Sequence, residues 1–299
     1  MEKQRICIQS VSQDVIIGKV FNDLFNIIKQ SQQNNNNVVW DFADTFYLHP
    51  FLLFPLAVYR YQNNIKCINI RENTNIQKYL ELVCFENLFD IKDNQSLEDK
   101  LSEYYDKSYI PISSFSINEN LLKQLQTPIQ TIIERQCRAE KISTQLSYFI
   151  GELIDNIREH SSADKGFIFS QYLQSEKCLN ICIADNGITV LGSYYKTNKY
   201  LDIIHNNPAI ALSQALNGLS TKSKERGFGL SSSKKMLVQG LKGAFFVMSG
   251  NAFYRYDLKL SDKEQIIPLN EEYYWKGTVV LIKIPVPVPQ EFNFYNYIE

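Results

Sequence analysis

The chain has 299 residues, 44% of them apolar and 21% charged, which is enough for two globular units each with a core of its own. A formal net charge of −1 gives no global bias toward nucleic acid or an anionic membrane. No apolar run is long enough to span a bilayer; the run around residues 51–58 is broken by Pro55. Nothing like an apolar signal segment follows Met1 to Arg5, so a cytoplasmic protein is expected. Six cysteines without a Cys-x-x-Cys pair are expected to be ordinary buried thiols, with no disulfide framework or zinc site.

Residues 1–110 alternate between strand and helix signals. Short apolar runs at 5–9, 38–42 and 65–70 read as strands. Apolar spacings at 17–30 (Val20, Leu24, Ile27, Ile28), 51–61 and 76–85 read as helices. The polar tract 31–37, with four consecutive asparagines, reads as a surface loop. This alternation predicts a small α/β domain with a mostly parallel sheet. Its stretch VVWDFADTFYLHPFLLFPLAVY resembles STAS-like domains of the anti-sigma-factor-antagonist type, in which a strand ending in an acidic residue precedes a turn and a helix. Where that family carries a phosphorylatable hydroxyl, this chain has His49 and Pro50. Pro50 suits a first helical turn, and His49 is expected to pack or cap. A phospho-acceptor role for His49 is the alternative.

A domain boundary is expected at about 105–118, because residues 86–117 mix charge, Tyr and Ser. Apolar spacing at Leu121, Leu122, Leu125, Ile129, Ile132 and Ile133 then predicts a helix that Pro128 kinks or restarts. A further helix is predicted over 144–160. Leu153, Ile154 and Ile157 form its apolar stripe, and Glu152, Asn156 and His160 stack one turn apart on another face. A carboxylate, a carboxamide and an imidazole in one row suit a polar site, or simply a solvated face.

Downstream, the apolar strand 179–184 closes on Asp185-Asn186-Gly187. Beneath a purine such a carboxylate accepts an exocyclic amine, and Gly187 lets the backbone approach a ring; by itself the pattern is also a common turn. The polar, basic loop 219–230 carries Lys222, Lys224 and Arg226 and ends in Gly227-Phe228-Gly229 before a helix over 231–239. Loops of that kind cradle phosphates, or are simply flexible. Finally, Gly277-Thr278 opens an apolar strand, 279–284.

Together these motifs, over about residues 118–287, resemble the GHKL ATPase fold (the Bergerat fold) of gyrase, MutL-type repair ATPases, sensor histidine kinases and anti-sigma-factor kinases. The resemblance implies an α/β two-layer sandwich with a nucleotide lid, binding ATP and Mg2+. It implies that Asn156 holds the magnesium and that Glu152 is the catalytic group polarising water or a hydroxyl. His160 would fill the basic position that ends the first motif. Asp185 would read the adenine amine, with Gly187 under the ring and Thr278 supporting the same edge. Gly227 and Gly229 would wrap the phosphates, and Lys222, Lys224 or Arg226 would make lid contacts. The family's second motif continues to another glycine, whereas this chain has Thr189; a β-branched residue resists positive φ, so a different turn is expected there.

Residues 190–218 resemble an elaborated lid, and the Pro- and aromatic-rich tail 288–299 is expected to dock on this chain or on a partner. The expected function is therefore a Mg-ATP-binding regulatory protein with slow hydrolysis, acting with a protein partner or as a homodimer. No nucleic acid or membrane partner is indicated. The alternatives are an anti-sigma-like serine/threonine kinase and a non-catalytic ATP-bound interaction module.

Overall fold

The computed structural model describes residues 3–10, 17–91, 102–104, 106–117, 135, 143–221 and 230–297. The helix expected at 118–133, and Lys222, Lys224, Arg226, Gly227 and Gly229, lie outside the described residues. The fold is mixed α/β, built on two sheets. The smaller is parallel, order β1-β2-β3: β1 (Gln4–Cys7), β2 (Val38–Asp41) and β3 (Ile68–Asn69). Between these strands run α1 (Ile17–Gln33) and α2 (Pro50–Gln62), and α3 (Asn75–Leu82) follows. Pro50 begins α2 as expected, and His49 is its N-cap: the imidazole Nδ1 accepts from the Phe51 N–H at 3.1 Å. The ring is buried, and burial pushes its pKa down to about 4.

The larger sheet has eight strands in the order β10-β9-β8-β11-β7-β6-β5-β4. These are β4 (Phe89–Ile91), β5 (Tyr109–Ser116), β6 (Lys165–Leu173), β7 (Cys178–Asp185), β8 (Ala244–Gly250), β9 (Ala252–Asp257), β10 (Gln265–Pro268) and β11 (Trp275–Pro285). Every adjacent pair is antiparallel except β4 with β5. Residues 86–117, expected to be a connector, thus supply two strands to this sheet, and the expected boundary near 105–118 runs through β5. The physical reason is in β5 itself, whose Tyr109 to Phe115 are all buried.

Alternation along the strands explains the layers. Ile181, Ile183, Phe245, Val247, Val280 and Ile282 point to one face, where they pack on Phe149, Ile150, Leu153, Ile154 and Ile157 of α4 (Ser143–His160). Their neighbours Cys182, Ala184, Phe246, Met248, Val279 and Leu281 point to the other face, which α1 and α2 cover. Phe21 of α1 meets Phe246 and Phe253 at centroid distances of 4.9 and 4.6 Å, and Phe54 of α2 stacks on Phe169. The expected two-layer sandwich therefore gains further layers: both sheet faces are apolar, so both must be buried. All eight residues of β7 are buried for this reason.

Three short helices follow β7: α5 (Val190–Thr197), α6 (Leu201–Ile204) and α7 (Pro208–Leu216). Tyr194, Ile204 and Ala211 give them a small core of their own. The helix α8 (Leu230–Lys235) continues through a wider turn at Met236–Gly240. At the C-terminal end the tail docks on its own chain. Phe292 and Tyr297 stack over Gly240, where a Cβ would meet both rings at 2.9 Å. Of the described cysteines, Cys178 and Cys182 are buried as expected, whereas Cys7 is exposed.

Candidate functional site

A cavity of about 370 Å³ opens between α4, the adjoining ends of β7 and β11, and the α5–α7 module. The helix α4 buries Leu153, Ile154 and Ile157 against the sheet, and its period of 3.6 residues then turns Glu152, Asn156 and His160 along one wall. All three are half-buried and line the cavity. Apolar side chains, among them Ile183, Leu212, Leu216 and Val247, form most of the remaining surface. A flat apolar group fits such a space, with polar groups at its margin fixing orientation.

Asp185 ends β7 inside this cavity at 2% exposure. Burial pushes its pKa from 3.8 up to about 7, against the backbone N–H groups of Gly187 and Thr278, which favour the carboxylate. The Gly187 N–H donates to Oδ1 at 2.8 Å. Gly277, at φ +80°, is pressed against the same residue: a Cβ there would lie 2.3 Å from the Asp185 carbonyl oxygen and 2.8 Å from Oδ1. Such a carboxyl is a directed acceptor for a buried N–H donor.

The other expected residues sort as follows. Thr278 lines the cavity, and its Oγ1 lies 3.2 Å from the Ser249 hydroxyl. Ser249 in turn accepts from the Val190 N–H at 2.9 Å and donates to the Gly277 carbonyl at 2.9 Å. Gly187 stands behind the wall rather than in it: a Cβ there would lie 2.0 Å from the Ser161 carbonyl oxygen. Its lack of a side chain admits the chain end of α4. Thr189 sits at φ −71°, not in the left-handed region. There it caps α5, its Oγ1 accepting from the Gly192 N–H at 3.1 Å, so a hydroxyl and not a second glycine is what this turn uses.

Ser193, Thr221 and Gly277, to which the sequence assigns no role in a site, complete it. Thr221 Oγ1 lies 2.7 Å from His160 Nδ1 and 3.1 Å from the Ser193 hydroxyl. In the sequence Gly277 marks only the start of a strand. Its sequence signal was Gly-Thr just ahead of an apolar run; nothing local marked Ser193 or Thr221. Among the described residues no group of three or more His, Cys, Asp or Glu side chains could hold a metal ion. Asn156 offers one hard oxygen, which suits magnesium only when a ligand supplies most of the others. No helix among the described residues is long and apolar enough to cross a membrane. No protein-family model, curated protein or solved structure matches the chain.

Proposed function

We propose that this chain is a Mg-ATP-binding regulatory protein of the GHKL type, preceded by a STAS-like unit, with slow hydrolysis at Glu152. The observation that carries the reading is the Asp185 carboxyl, buried in an apolar cavity and held by two backbone N–H groups, with Gly277 packed against it. It is suited to accept the exocyclic amine of adenine. On the α4 wall, Asn156 would contribute its carboxamide oxygen to magnesium, and His160 would face phosphate oxygens. Magnesium, when bound, neutralises phosphate charge and supplies electrostatic stabilisation of the transferring group.

The chain's own work is positioning and proton transfer. The apolar walls hold the base and exclude water from it. Asp185 selects an amine over a carbonyl at the deep end, because a carboxylate facing a carbonyl oxygen pairs two acceptors. Glu152 would take the proton of the attacking water as its oxygen bonds to the γ-phosphorus and the bond from that phosphorus to the β,γ-bridging oxygen breaks, releasing ADP and phosphate.

The test is ATP binding and hydrolysis with magnesium by the wild type, Asp185→Asn and Glu152→Gln. The Asp185 variant is expected to lose binding at least tenfold, since the amide presents donors to the adenine amine. The Glu152 variant is expected to bind ATP normally while turnover falls 100-fold or more, as removal of a general base does. Unchanged turnover in Glu152→Gln would take that residue out of the role. Failure of the wild type to bind ATP would end the reading.

A further inference from the structure

Three elements that are far apart in sequence meet at one hydroxyl. His160 is the last residue of α4, Ser193 lies in α5, and Thr221 lies in the segment leaving the α5–α7 module. Thr221 Oγ1 lies 2.7 Å from His160 Nδ1 and 3.1 Å from Ser193 Oγ, and all three residues line the cavity. The segment bearing Thr221 is pinned twice more. The Tyr194 hydroxyl donates to the Leu219 carbonyl at 2.5 Å, and Lys199 Nζ donates to the Thr221 carbonyl at 3.1 Å. Thr221 itself is 9% exposed. A hydroxyl held this firmly has little freedom to reorient.

The protons on this chain of atoms are constrained by counting. Thr221 has a single O–H proton and two close partners, so it can donate to only one of them while its oxygen can accept from the other. If it donates to His160 Nδ1, it accepts from Ser193, and the imidazole proton resides on Nε2. We propose that Ser193 and Thr221 form a hydroxyl relay that locks His160 in the Nε2–H tautomer, fixing the ring as a donor toward the phosphate groups of a nucleotide in the cavity. Thr221 is then a positioning residue that acts through His160. The inference deepens the ATP reading above and rests on it for the identity of the ligand, but the tautomer does not.

Two measurements on the full chain test it. With 15N-labelled histidine, long-range 1H–15N correlation spectra report which ring nitrogen carries the proton. The chain has three histidines, and His160→Gln and His205→Gln variants assign the signals. The wild type is expected to show His160 as Nε2–H, Thr221→Val to show mixed tautomers, and Thr221→Ser to restore the wild-type pattern. An Nδ1–H ring in the wild type, or an unchanged ring in Thr221→Val, would overturn the relay. The second measurement is affinity for Mg-ATP and for AMP. Thr221→Val is expected to lower ATP affinity about tenfold, the worth of one hydrogen bond to a charged group, and to leave AMP affinity within about twofold. Equal losses for both nucleotides would show a cavity wall rather than a phosphate-directed device and overturn the proposal. Absence of any nucleotide binding by the wild type would sink the ATP reading and the phosphate half of this one, while the spectra still decide the relay.

Discussion

At Asp185 two pressures oppose each other. Burial disfavours the carboxylate, while the Gly187 and Thr278 N–H groups favour it, and burial wins, leaving the pKa near 7. A carboxyl whose folded value is raised adds stability at low pH and loses it as pH climbs through the folded value. The ligand-free chain is therefore expected to lose up to about 4 kcal/mol between roughly pH 4 and 8, read by denaturant titration. On the proposed reading an adenine amine would donate to the ionised form, so ATP binding should shed a proton below neutrality. The dissociation constant is expected to rise up to tenfold per pH unit below about 7 and to level off above it, and Asp185→Asn should abolish the trend. Gly277→Ala places a methyl against the Asp185 carbonyl and strains a left-handed backbone. A stability loss of about 1–3 kcal/mol is expected, with ATP affinity falling as the carboxyl is displaced.

Among the elements, α2 is the one most fully enclosed, with Pro50 through Tyr59 all buried between the two sheets. Its first turn depends on the His49 imidazole accepting from the Phe51 N–H. A protonated ring has no lone pair to accept with, so burial and the cap both oppose charging. The folded value, near 4, lies below the ordinary 6.5. This stability is present above about pH 6.5 and is lost as pH falls toward 4, amounting to about 3 kcal/mol across that window. His49→Asn keeps a capping acceptor without the titrating ring, so the change in unfolding free energy between pH 7 and pH 5 should shrink in that variant. An acid response identical to the wild type would remove His49 as its source. The far end of α2 reaches the site, where Gln62 Nε2 donates to the Asp185 carbonyl at 3.3 Å.

For the whole molecule, the N-terminal helices and the large sheet share one core. Phe21, Phe51 and Phe54 lie against Phe169, Phe246 and Phe253 with no polar layer between. Phe54→Ala is expected to cost about 3–5 kcal/mol, as truncating a buried aromatic does. Calorimetry of the wild type should show both units melting in one transition, since separating them would bare the second face of the sheet. Two resolved transitions, with Phe54→Ala shifting only the first, would show that the shared core does not couple them.

What the sequence determined by itself was local. The stacking of Glu152, Asn156 and His160 follows from helical period, and Pro50 and His49 before an apolar run marked the start of α2. Asp185 at the end of an apolar strand was likewise legible, as were most helices of the first 110 residues, because each signal lies within a few residues of chain. Tertiary structure decided the remainder. Apolar alternation in β6, β8 and β9 does not say which strand lies beside which, and an apolar strand does not say what covers its two faces. Residues 86–117 looked like a linker because their charged and polar composition masked β5, whose burial only its neighbours supply. The space that Gly187 leaves is taken by Ser161, and Thr221 meets His160, 61 positions earlier. Burial is satisfied by whichever surfaces meet, and those surfaces belong to segments that no local pattern connects.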